Sequence, residues 1–287
     1  EERHVRARSA CRDLLIESIK SRMDLGENAY DFEKTPSVLL LIGVNGVGKT
    51  TTAVNLSAAI AAAGRRVLLI DIDPQGNATS GLGLDKNSLG ATTYEILIED
   101  RPMDAAIVHD AYGVDILPAH VELAGAEVEL AGAERSEARL RDALRDAHGR
   151  YDYILIDCPP SLGFLTINAL TAADAVLIPI QCEFYALEGV AQLMQTVELV
   201  RAGANPALRV QGVVMTMYDG RTRIAAQVVE EVRRVFAEAL YETLIPRNVR
   251  LSEAPSFGQP ITAYDSASRG AAAYRALAGE VMQREEG

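Results

Sequence analysis

Residues 37–63 read SVLLLIGVNGVGKTTTAVNLSAAIAAA: an unbroken apolar run, a glycine-rich turn, then a helix-length segment rich in alanine. Gly43-Val44-Asn45-Gly46-Val47-Gly48-Lys49-Thr50 fills the pattern G-x-x-x-x-G-K-[ST], in the strand-then-helix setting that gives the pattern its meaning. Glycines let the chain turn so that successive N–H groups face phosphate oxygens, and the positive end of the following helix adds to the attraction. In that cradle Lys49 reaches the β- and γ-phosphates, the Thr50 hydroxyl is a ligand for Mg²⁺, and Thr51 is placed for the α-phosphate.

Working outward, short apolar runs recur at 38–42, 67–70, 114–117, 153–156, 175–180, 210–215 and near 244–245. Segments of helix length lie between most of them, at 51–63, 136–147, 187–202 and 223–240. Strands that are apolar throughout and alternate with helices predict a parallel sheet covered on both faces. The fold class is therefore α/β, a doubly wound, mostly parallel sheet of the P-loop NTPase type. Residues 121–150, rich in Ala, Glu and Arg, read as surface helices whose leucines (Leu130, Leu140, Leu144) face inward. Val5, Leu15, Ile16 and Ile19 stand at roughly helical spacing ahead of a polar stretch. This divides the chain into a helical extension and linker, 1–36, and a nucleotide-binding domain, 37–287.

Three acids end apolar runs: Asp71 and Asp73 after 67–70, and Asp157 after 153–156. Ligands of open α/β sheets bind at the carboxyl ends of strands, so all three are candidates for the phosphate and metal site. Taken singly, each is equally a turn residue closing a strand.

The chain has 287 residues and a formal net charge of −12, which argues against coating nucleic acid with the whole surface. Lysine occurs only at positions 20, 34, 49 and 86, and the other 24 basic residues are arginine. Residues 201–260 carry eight arginines against six acids, a local excess of +2. Such a patch is either a set of solvated helix faces or a sequence-independent contact for a phosphate backbone. Three dispersed cysteines without metal-ligand spacing fit a reducing, cytoplasmic setting. The apolar run before the loop is far shorter than the ~20 residues of a membrane helix.

Three further stretches carry a resemblance: VLLIDIDPQGNATSGLG (67–83), YDYILIDCPPSLGFLTINAL (151–170), and IPRNVRLSEAPSFGQPI with YDSASRGAAAY (245–274). From about residue 52 onward the chain resembles the ParA/Soj (ParA/MinD-type) chromosome- and plasmid-partition ATPases. The resemblance implies an ATPase whose cofactors are ATP and Mg²⁺, with ADP as product, and a nucleotide-dependent homodimer that binds DNA without sequence preference. It further implies a ParB-type partner that stimulates hydrolysis, and a nucleoid-associated, cytoplasmic location away from membranes. Carried over by position, Asp73 directs the attacking water, Asp71 and Asp157 surround the metal, and Pro246 to Asn248 border the adenine. Arg221, Arg223, Arg247 and Arg250 are the candidates for DNA.

One position departs from the family. Val44 stands where the partition ATPases have a signature lysine that crosses to the partner's nucleotide. Charges of that kind contribute ~10³–10⁵ in rate in related NTPases, so the expectation is slow hydrolysis. GVNGVGKTTT, together with LLIESIKSRM (14–23) and EKTPSVLLLIGV (33–44), is similar instead to the GTPase of the signal-recognition-particle receptor. The first 52 residues thus look like one branch of a superfamily and the remainder like another, as in an engineered chimera or a natural fusion. After Val213 the chain reads VMTMYD without the lysine of a guanine-reading motif, so ATP is expected over GTP.

Overall fold

The computed structural model describes residues 37–132, 135–147, 149–183 and 186–286. The extension assigned to 1–36, including the amphipathic segment at 5–23, lies outside the described residues. Eight strands form one sheet: β1 (Ser37–Leu41), β2 (Val67–Asp71), β3 (Val108–Ala111), β4 (Val114–Leu117), β5 (Tyr153–Asp157), β6 (Ala175–Gln181), β7 (Arg209–Tyr218) and β8 (Leu240–Pro246). Their order is β3-β4-β2-β5-β1-β6-β7-β8, and every pairing is parallel except β3 with β4.

The α-helices are α1 (Lys49–Ala62), α2 (Asn77–Gly81), α3 (Thr93–Ile98), α4 (Leu123–Leu130), α5 (Arg139–Ala143), α6 (Phe164–Ala172), α7 (Ala186–Arg201), α8 (Arg223–Phe236), α9 (Val249–Glu253), α10 (Ile261–Tyr264) and α11 (Arg269–Glu286). Alternation along the central strands sorts them into two layers. Leu39, Leu41, Leu69, Leu155 and Leu177 face α1 and α11, packing with Leu56, Ile60, Tyr274 and Leu277. Val38, Leu40, Leu68, Ile154 and Ile156 face the other way, onto α3 to α8, with Leu123, Leu165, Met194 and Val232 among their partners. Both faces of the central strands are dry, which is why those strands read as continuous apolar runs.

The structure corrects the sequence reading in three places. β3 is absent from it because VHDA carries two polar residues and lies exposed on the sheet edge, where no apolar run is needed. The helix expected at 136–147 breaks into a 3₁₀ turn, α5 and a second 3₁₀ turn, while Leu140 and Leu144 are still buried. The helix expected at 223–240 ends at Phe236, where Ala237 takes φ +41° and the chain enters β8, which begins four residues earlier than the apolar pair at 244–245.

Candidate nucleotide-binding site

The loops after β1, β2 and β5 open at the same edge of the sheet, and the register makes them converge. Leu41 and Asp157 are partners across β1 and β5, and Asp71 and Asp157 across β2 and β5. Since side chains alternate along a strand, both carboxylates fall on the face that carries Leu69 and Leu155, the face covered by α1. The last residues of β2 and β5 therefore lie beside the helix that the glycine-rich loop begins.

Gly46 and Gly48 adopt φ +79° and +82°, the left-handed region that glycine enters without strain. A Cβ at Gly43 would lie 3.0 Å from Val47 Cγ2 and 3.2 Å from the Pro179 carbonyl. The first glycine thus lets the loop rest on β6, and the other two let it turn. The Lys49 ammonium donates to the Gly43 carbonyl at 2.7 Å and lies 3.5 Å from the Val44 carbonyl, so the buried side chain folds back over its own loop. Asn45 and Gly46 are exposed at the tip, Val47 is buried, and Thr50 and Thr51 are half-buried in the first turn of α1. Val44 packs directly over Gly189 of α7, where any side chain would collide with it.

The two acids that share a register differ in their partners. Asp71 Oδ2 accepts from the Thr79 N–H and hydroxyl, each at 2.8 Å, and Oδ1 from the Asp73 N–H at 3.1 Å. The Thr79 hydroxyl oxygen also accepts from the Ala119 N–H at 2.9 Å, tying β2 to the end of β4. Among the described residues neither Asp157 oxygen has a well-formed hydrogen bond, although the residue is fully buried and the Thr50 hydroxyl lies near it. Burial raises the pKa of both carboxyls, for Asp157 with added repulsion from Asp71 and against the pull of the nearby Thr50 hydroxyl and Lys49 ammonium. An orphaned carboxylate beside a threonine hydroxyl at a helix N-terminus has the donor chemistry that a hard divalent cation with bound water requires. Asp73 is buried at the start of the next turn, with Oδ1 accepting from the Gln75 N–H at 2.9 Å.

The remaining candidates lie at the same sheet edge, farther along. Thr216 of β7 donates its hydroxyl to the Val47 carbonyl at 2.8 Å, so β7 buttresses the loop. Tyr218 and Pro246 are register partners, and the Arg247 N–H donates to the Tyr218 carbonyl, which puts Pro246 to Asn248 beside the end of β7. Asn248 caps α9, accepting from the Arg250 N–H at 2.8 Å.

The four arginines do not form one open patch. Arg221 and Arg247 meet around Asp219, whose pKa falls to about 2, chiefly through the Arg221 guanidinium bound to it at 2.7 and 2.9 Å. Arg247 also lies 3.7 Å from Glu183. Arg250 pairs instead with Glu253 and Asp265. Arg223 is exposed at the first position of α8.

Sequence reasoning missed Thr79, Thr216 and Glu127. Glu127 of α4, read only as part of a charged helix face, accepts from the Phe164 N–H at 2.7 Å and so caps α6, the helix after Asp157. A threonine or glutamate with one distant partner leaves no periodic signal, and only the fold brings these partners together. No helix among the described residues is long and apolar enough to cross a membrane.

Comparison with known proteins agrees with this geometry. A family model described as an AAA domain matches residues 43–210. The chain is 55% identical over 242 residues to the chromosome partitioning protein ParA of Myxococcus xanthus, a match covering 84% of this chain and 85% of that one. It is 56% identical over 237 residues to the sporulation initiation inhibitor protein Soj of Bacillus subtilis, covering 82% and 94%. Among solved structures, the cobyrinic acid a,c-diamide synthase of Mycobacterium smegmatis with bound ADP and magnesium superposes with a TM-score of 0.78 at 38% identity, over 88% of this chain and 96% of that one. The septum site-determining protein MinD of Pyrococcus horikoshii, complexed with Mg-ADP, shares the fold at a TM-score of 0.68 and 24% identity, over 86% and 96%. With a phosphate-binding loop, two strand-end acids in one register and identity above one half to a ParA and to a Soj protein, this chain belongs to the ParA/Soj family of P-loop partition ATPases.

Proposed function

We propose that the protein binds Mg-ATP in the 43–51 loop and hydrolyses it slowly, as a partition-type ATPase that acts on DNA as a dimer. The observation that carries this reading is the orphaned Asp157 carboxylate, buried one strand from Asp71 and facing the start of α1. The loop N–H groups of residues 43–51 bind phosphate oxygens, and the Lys49 ammonium, which keeps a donor beyond its two carbonyl contacts, neutralises them. Thr50 and Asp157 would hold the metal, which when bound would supply positive charge to the phosphates. Asp71, also expected around the metal, has both oxygens engaged by Thr79 and the Asp73 N–H, so we assign it a place behind Asp157 instead of direct contact with the metal. Asp73 holds the attacking water and takes its proton. Pro246 and Asn248 border the adenine.

Relatives support the nucleotide: the Mycobacterium smegmatis protein was solved with ADP and with an ATP analogue, each with magnesium. Val44 supports slow turnover, because an apolar side chain packed on Gly189 supplies no cation to a second subunit's nucleotide. For DNA, three of the four candidate arginines have carboxylate partners at the surface. Exposed ion pairs of this kind contribute little and exchange readily for backbone phosphates. A ParB-type partner is expected to stimulate the ATPase weakly or not at all. Residues 1–52 are read as descending from a receptor-type GTPase, joined to a partition ATPase within the shared P-loop and helix, TTTAVNL (50–56), in a deliberate chimera or, second, a natural fusion.

The test is calorimetry with ATP and GTP, followed by phosphate release with and without DNA and a ParB-type partner. Tighter binding of ATP, and faster release from Val44→Lys/Asn45→Gly than from the parent, are the expected results. Tighter GTP binding, or no release above that of Asp73→Ala, would overturn the reading.

A further inference from the structure

The lysine that stands alone between residue 50 and the C-terminus, Lys86, lies outside the loops so far described, at the head of a 3₁₀ turn, Lys86–Ser88, capped by the Asp85 carboxylate. Its ammonium donates to the Gln75 carbonyl at 2.6 Å. Its aliphatic stem covers Gly76, which adopts φ +57°, and a Cβ there would stand 2.7 Å from Lys86 Cδ and 2.9 Å from the Ala119 carbonyl. The same Gln75–Gly76 peptide is held at its other end, where the Gly76 N–H donates to the Asp73 carbonyl at 2.8 Å. One residue earlier, the Gln75 N–H donates to Asp73 Oδ1. The direction of the Asp73 carboxylate is therefore set by a turn whose outer peptide Lys86 grips.

We infer that Lys86 is a positioning residue for Asp73, holding the 73–76 turn from outside so that the carboxylate keeps its orientation. The inference rests on the reading of Asp73 as the residue that directs water in ATP hydrolysis. A charged donor on a carbonyl is stronger than a neutral one, and a left-handed glycine is otherwise free to rotate. Losing the ammonium therefore loosens the turn without touching the loop that binds nucleotide. Lysine suits the position because its aliphatic stem lies against Gly76 while its ammonium reaches the Gln75 carbonyl.

The experiment uses the full chain as Lys86→Met, which keeps the stem and removes the charge, and as Lys86→Arg, which restores a cation. Turnover of ATP and amide hydrogen exchange across 73–80 are read together, with melting temperature as control. For Lys86→Met the expected results are kcat lower by about tenfold with KM unchanged, and exchange at Gly76 faster by about tenfold with the rest of the sheet unaltered. Lys86→Arg should recover part of both. Wild-type kcat and exchange in Lys86→Met, or kcat, KM and melting temperature all deteriorating together, would overturn the inference. If the wild type shows no turnover above Asp73→Ala, the hydrolysis reading fails on its own, and exchange at Gly76 alone decides whether Lys86 holds the turn.

Discussion

The ends of β2 and β5 carry the same residue, in the same register, on the same face, at the same depth, and have opposite chemistry. Asp71 has each oxygen occupied by the protein: Thr79 twice and the Asp73 N–H once. Asp157 has no well-formed hydrogen bond to either oxygen among the described residues. A buried carboxylate costs free energy unless it is paired or hydrogen-bonded, so the first acid is satisfied by the chain's own architecture, and the second is the one that the proposed function assigns to the metal. Position on the sheet thus does not decide how far a carboxylate is satisfied; its hydrogen-bond partners do.

The largest effect that separates the two acids is on ligand-linked stability. A ligand at 100 times its Kd raises stability by about 2.7 kcal/mol. In wild type, adding Mg²⁺ to saturating ATP should raise the melting temperature by several degrees. In Asp157→Asn that metal-dependent increment should vanish, while Asp71→Asn keeps part of it; thermal scans with and without Mg²⁺ read the difference. The reverse pattern would invert the comparison.

Next in size is the network behind Asp71. Thr79→Val removes the hydroxyl that serves Asp71 and Ala119, leaving a buried N–H and part of a carboxylate unsatisfied. The expected loss is on the order of 1–3 kcal/mol in urea unfolding without nucleotide. A loss below half of that would mean that water replaces the hydroxyl and that Asp71 is less engaged than its bonds suggest.

The smallest effect has the opposite sign. Without ligand, Asp157→Asn removes a buried carboxyl that is crowded by Asp71 and lacks a well-formed hydrogen bond, and should stabilise the fold by roughly 1 kcal/mol, whereas Asp71→Asn should destabilise it. Urea titrations of both variants in chelator test this pair. Destabilisation of the ligand-free fold by Asp157→Asn would show that its carboxylate has a structural partner after all.

Much of the site was legible in the chain itself. The loop at 43–50 follows from a motif whose glycines and lysine have no substitutes, and Asp71, Asp73 and Asp157 follow from runs that stop on an acid. The helices that cover the sheet were visible where they are long and amphipathic, as at α8. β3 was not, because an exposed edge strand has no reason to be apolar. Arg221, Arg247 and Arg250 counted as bare charges in composition, and each turned out to have a carboxylate beside it.

The sequence by itself determined the phosphate cradle, the α/β class and the family, since each rests on local patterns: which residue follows which, and at what period. Tertiary structure alone decided that Asp71 is satisfied and Asp157 vacant, that Val44 lies on Gly189, and that Lys86 grips the turn after Asp73. Those facts depend on partners 8, 11 and 145 positions away. Hydrogen bonding and packing are properties of distance in space, and separation along the chain does not report it.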